Sequence, residues 1–273
     1  MPGYLTNKLI MVLFFIVLAL TIAISVYRGE VFTAALVSAF ISATAVFLSW
    51  ALGRELDPAH QWSAFISLPP VFIAFIAIGR PSLLALLFFI LSCRLLNRTP
   101  GRQPFRSDSI LLLAMGLLLY FNNFYFALPC LALFFLTDAL VKPVNNFQFI
   151  SALVTSAAYS ALLLLVSPEP ASYVPGSIPV FYPAAALIIV ALSAIYISFV
   201  TRHKRTLDDL NREELNYLRV NAARLLIAAW MISEIIFGGA MMIHQIYPMV
   251  IVFGGIFLYH LTVKTKERLL KIS

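Results

Sequence analysis

Charge is what this sequence has least of. Only 11% of its 273 residues are Asp, Glu, Lys or Arg, against about a quarter in an ordinary soluble domain. Hydrophobic residues make up 62%, more than a water-soluble chain of this length can hide, because surface falls only slowly relative to volume. Cysteine is nearly absent. Cys93 and Cys130 both sit inside apolar runs, so they imply neither a disulfide framework nor a metal site and read as small packing residues. Also missing, in any credible setting, are a Walker A loop, GxSxG, HExxH, CxxC and GxGxxG. With them go the usual signatures of nucleotide, serine-hydrolase, zinc-protease and redox chemistry.

What is present is a succession of apolar segments with lipid as their solvent. Ten are marked off, at 9–26, 31–52, 63–78, 82–96, 110–121, 124–141, 147–166, 184–200, 222–243 and 250–263. The first competes with a signal peptide, since Ala23 and Ser25 resemble a cleavage pattern, but it is longer than a usual signal core and is kept as a span. Pro69-Pro70 must bend or break the third segment. The pairs 63–96 and 110–141 are short for a bilayer and are either full spans or re-entrant hairpins. Five prolines between 167 and 183 mark a loop. The expected fold is an all-α polytopic integral membrane bundle forming one domain over 1–273. Ser-Ala-Phe-Ile-Ser occurs at 38–42 and 63–67, but the flanks disagree and no internal repeat follows.

The net charge of +7 is spread over short loops, which argues against nucleic acid and for contact with anionic lipid headgroups. Assigning connections to alternate sides leaves only Arg28 and Arg80 on one side, and the other 17 of the 19 Lys and Arg on the opposite one. Basic excess marks the cytoplasm, so a multi-pass cell-membrane protein with both termini cytoplasmic is expected. The most charged stretch, 201–221, reads as a cytoplasmic interfacial helix. Thr206 and Asp209 have capping-box form, and Leu207, Leu210, Leu215 and Leu218 share one face. Glu214 interrupts that face.

Few polar residues stand where chemistry needs them. Glu234 falls near the middle of the ninth segment, where a carboxylate costs on the order of 2.5–3.5 kcal/mol, so it marks a solute, ion or proton path or else a hydrogen bond between helices. Tyr159 is expected at similar depth, and Gly238-Gly239 and Gly254-Gly255 allow close helix approach there. Asn122 and Asn123 sit at a hairpin tip, as a turn or, if the hairpin is re-entrant, as a solute contact. Arg54, Glu55, Asp57 and His60 crowd one cytoplasmic loop, joined on that side by Asp208 and Asp209. Such a cluster suits a diphosphate headgroup or a divalent ion, or simply a turn opened by Asp57-Pro58. No established metal-ligand spacing is present, so neither a metal nor a cofactor is expected. Asp138 is spaced to pair with Lys142, and His244 and His260 read as interfacial hydrogen-bonders.

Three functional classes follow. The first is a carrier of a small solute or lipid-linked substrate, with Glu234, Tyr159, Asn122 and Asn123 along its path. Ten segments with both ends inside are similar in architecture to the drug/metabolite transporter superfamily, though none of its sequence motifs is recognised. The second is an accessory subunit, with a membrane-protein partner or a second copy of itself. The third is an enzyme at the cytoplasmic face using Arg54, Glu55, Asp57, His60, Asp208 and Asp209 on a lipid-borne prenyl or diphosphate substrate. These paired acids resemble the aspartate-rich loops of membrane prenyltransferases in composition, with a sparser Asp pattern. Glu213-Glu214 with Arg219 approximates the first motif of CAAX-type intramembrane proteases. There the arginine lies one position too far and the histidine motifs are missing, which excludes that family.

Overall fold

Apart from short turns, the described part of each apolar segment is helical, and no strand occurs among the described residues. A computed structural model of the chain describes residues 5–142, 144–165, 181–200 and 214–269. In order the helices are α1 (Leu5–Tyr27), α2 (Phe32–Leu56), α3 (Ser63–Ile66), α4 (Leu68–Ile78) and α5 (Leu83–Asn97). They continue as α6 (Arg106–Phe121), α7 (Ala127–Leu140), α8 (Asn146–Leu165), α9 (Phe181–Val200) and α10 (Tyr217–Leu269). Among the described residues, five stretches are long and apolar enough to cross a membrane: α1, α2, α8 and the two limbs of α10, Tyr217–Gly239 and Met241–Val263. Most of the interfacial helix expected over 201–221, including Asp208 and Asp209, lies outside the described residues.

The breaks have local causes. Pro69 and Pro70 occupy the first turn of α4, where a missing N–H costs nothing, and the preceding helix stops at Ile66. Within α10 the interruption is Gly239, at φ 61° and ψ −150°, a conformation that a side chain disfavours.

The chain divides into two compact units. The first comprises Met1–Leu86 and His244–Ser273. In it α2 packs on α1, α3 and α4 around Ile10, Val17, Ala43, Val46, Trp50, Ala64, Leu68 and Val71. The backbones approach closely. A Cβ on Gly255 would stand 3.1 Å from Ser67 N, at the break between α3 and α4.

Hydrogen bonds sort this unit into two ends. At one, Arg28 donates to Ile76 O (3.4 Å), Arg80 Nη2 to Ser38 Oγ (2.9 Å) and Tyr247 OH to Gly79 O (3.0 Å). At the other, Thr6 Oγ1 donates to Gln61 Oε1 and Arg54 Nη1 to Asn7 Oδ1, each at 3.2 Å.

The second unit is Leu87–Ile243, in which α7 packs on α6 and α8. Buried Gln148 and Ser109 bind one another between α8 and α6, with Gln148 Nε2 donating at 3.0 Å. At one end of this unit the C-termini of α5 and α7 meet the start of α10. Buried Asp138 accepts from Arg98 Nε (3.2 Å) and from Arg219, which also donates to Val141 O and Leu96 O. The sequence expectation pairing Asp138 with Lys142 is therefore corrected: its partners are two arginines distant in sequence.

Candidate functional site

The polar cluster in the first unit is built by a turn and a helix. Asp57 ends α2, its N–H donating to Gly53 O at 2.9 Å. Pro58 and Ala59 then turn the chain so that His60 N donates to Asp57 O at 3.1 Å. The Ser63 hydroxyl fastens the turn by donating to His60 O at 2.7 Å. This folds the His60 ring back onto Asp57, with Nδ1 3.0 Å from Oδ1. The other carboxylate oxygen, Oδ2, lies 3.0 Å from Nε2 of His260, on the C-terminal limb of α10. The two imidazoles meet edge to face, centroids 4.6 Å apart, and Tyr259 packs beside the His60 ring at 5.7 Å.

Asp57 is 0% exposed and His260 2%. Burial by itself raises a carboxyl pKa. Hydrogen bonds with His260 and His60, and the charge of both rings, outweigh that burial and hold Asp57 well below the usual carboxylate range. Of the residues expected here, Glu55 is buried on the last turn of α2, and Arg54 reaches Asn7 and lies over the Trp50 ring, 5.6 Å from its centroid. His260 was not grouped with them in sequence. It stands 203 positions from Asp57, and no local spacing marks it.

The second unit holds Glu234, Tyr159, Asn122 and Asn123. Glu234 is 1% exposed, and its Oε1 accepts from Phe126 N–H at 3.0 Å. Phe126 immediately precedes α7, so the carboxylate caps that helix at the positive end of its dipole. The limb ends at Gly239, which places Glu234 about five residues, roughly 7.5 Å, from that end rather than at its middle. Tyr159 packs edge-on against Tyr120, centroids 6.3 Å apart, and lies within electrostatic reach of Glu234. Asn122 and Asn123 are exposed. Asn122 Nδ2 donates to Leu118 O at 2.7 Å, closing α6, and Asn123 Oδ1 accepts from Tyr125 OH at 2.9 Å. Their side chains are thus engaged in the turn itself, while the backbone N–H three residues on reaches Glu234.

The second unit also contains a pocket of about 300 Å³ between the end of α5 and the start of α6. Arg94, Arg102 and Gln103 supply polar groups, Leu91, Leu95, Leu111 and Leu112 an apolar wall. Asp108, also on its lining, accepts from Phe105 N at 2.9 Å and caps α6. The sequence reading marked these arginines as topology signals and did not single them out as a site. Leu91, one turn before Arg94, is the signal that the sequence offered. Comparison with known protein families, curated proteins and solved structures finds no match to this chain.

Proposed function

We propose that this protein is a ten-segment carrier of the cell membrane, with both termini cytoplasmic, and that its substrate is an amphiphilic anion with a phosphate-class head. The observation that carries the substrate class is the pocket at Arg94 and Arg102 with its leucine wall. Guanidinium forks match phosphate oxygens in geometry as well as charge, and the leucines suit an acyl or prenyl chain lying in the adjoining lipid.

The orientation is supported by how basic residues gather. Arg28 and Arg80 hold one end of the first unit and Arg54 the other. In the second unit Arg98, Arg219 and the pocket arginines lie near the helix ends assigned to the cytoplasm. A broken helix at Gly239, a chain in two compact units and a buried acid at Glu234 suit a carrier.

The test is binding and movement in proteoliposomes with a labelled acyl or prenyl monophosphate, competed by inorganic phosphate and by the uncharged alcohol. The lipid phosphate should compete best. The double variant R94Q/R102Q should weaken binding by about tenfold or more, since charge-assisted hydrogen bonds contribute roughly 1.5–3 kcal/mol each. Equal binding by the variant, or by the alcohol, contradicts the proposal. A second reading, a membrane enzyme acting on a lipid-borne phosphate, is favoured by the gathering of Asp57, His60 and His260. Conversion rather than movement of the labelled lipid would select it.

A further inference from the structure

Asp57, His60 and His260 have a chemistry wider than that of a hydrogen-bonded clamp. Two imidazole nitrogens and a carboxylate oxygen are a donor set with which proteins hold zinc or ferrous iron at three points, leaving the remaining positions to water or a substrate oxygen. Here one ligand atom from each of the three residues lies within 4.8 Å of the others. The two contacts at 3.0 Å use different oxygens of Asp57, Oδ1 toward His60 Nδ1 and Oδ2 toward His260 Nε2. A tetrahedral ion with bonds of about 2.0–2.1 Å brings its ligand atoms to roughly 3.4 Å apart, so the set draws together from within 4.8 Å and the ring nitrogens exchange their hydrogen bonds to Asp57 for bonds to the ion.

Burial adds a second, independent argument. Asp57 is 0% exposed, and a carboxylate taken out of water must be matched by positive charge as well as by hydrogen bonds. A divalent ion among the three groups would add positive charge directly beside this buried carboxylate.

The scaffold is also prepared. His60 is set by a turn closed through its own backbone, with Ser63 fastened to it, and His260 stands on a helix. Ligands held this way lose little freedom on binding.

The geometry points to a divalent transition-metal site of the zinc class, held by Asp57, His60 and His260, with at least one coordination position open to water or an anionic oxygen. The ion ties the turn after α2 to the C-terminal limb of α10, all within the first unit. It depends neither on the arginine pocket nor on the direction of transport.

The test uses the full chain, purified in detergent, stripped with a chelator and titrated with cobalt(II) as a spectroscopic probe, then with zinc in competition. One equivalent of cobalt per chain should bind with visible ligand-field absorption of a low-coordinate site, and zinc should bleach it. Asp57→Asn, His60→Gln and His260→Gln should each weaken cobalt binding by more than about tenfold, while His244→Gln, at an exposed histidine, should not. A folded wild-type chain that takes up neither ion stoichiometrically overturns the proposal without any variant. So does uptake that survives all three ligand substitutions, which would mean an adventitious ion only.

Discussion

Glu234 separates two roles that a buried carboxylate can play, and substitution can tell them apart. As the acceptor for Phe126 N–H it needs an oxygen but not a charge. As part of a solute or proton path it needs the charge. Glu234→Ala should lower stability by about 1–3 kcal/mol, because it strands a buried N–H. Glu234→Gln should leave stability close to wild type in thermal unfolding, and on the carrier reading should still abolish transport in proteoliposomes. A Gln variant that transports normally reduces Glu234 to a cap. At this scale the sequence carried the identity of the important groups better than their partners. An acid in an apolar run is conspicuous by the cost of burying it. That its partner is a backbone N–H at Phe126 leaves no trace in residue type, and His260 is silent because its partner lies in another segment.

At the scale of elements, helix ends explain most of the buried charge. Asp138 near the end of α7 receives Arg98 from the end of α5 and Arg219 from the start of α10, and it is 0% exposed. Removing the shared acid leaves buried Arg219 facing the part-buried Arg98. Asp138→Ala should therefore cost about 3–5 kcal/mol, whereas Lys142→Ala should stay within about 0.5 kcal/mol as an exposed substitution. Denaturant unfolding of the purified variants measures both, and similar losses for the two would restore the local i,i+4 pairing. That local rule failed here for a physical reason. Spacing along one helix is visible in sequence, but burial is not, and a buried acid takes the partners that are buried with it. Helix breaks were more legible. Pro69-Pro70 announces the start of α4 directly, because proline's missing N–H and fixed φ act on its own backbone.

For the whole molecule, the apolar surface is the dominant fact. Met11 and Phe15 on α1, and Ile150 and Leu153 on α8, are largely exposed, as lipid-facing positions must be. Periodicity had little to do with recognising this, since helices apolar on every side have no polar face to mark. Length and the lack of charge did the work. The units into which the helices gather were not visible, because membership depends on contacts such as Ser67 against Gly255 between segments remote in sequence. Orientation is the premise on which the arginine pocket's access to the inner leaflet rests. It is measured by placing single cysteines at Glu30 and Lys142, both exposed, in a chain with Cys93 and Cys130 replaced, and treating cells with a membrane-impermeant maleimide. The account predicts labelling of Glu30→Cys in intact cells, and of Lys142→Cys only after permeabilisation. The reverse pattern, or labelling of both from outside, contradicts it.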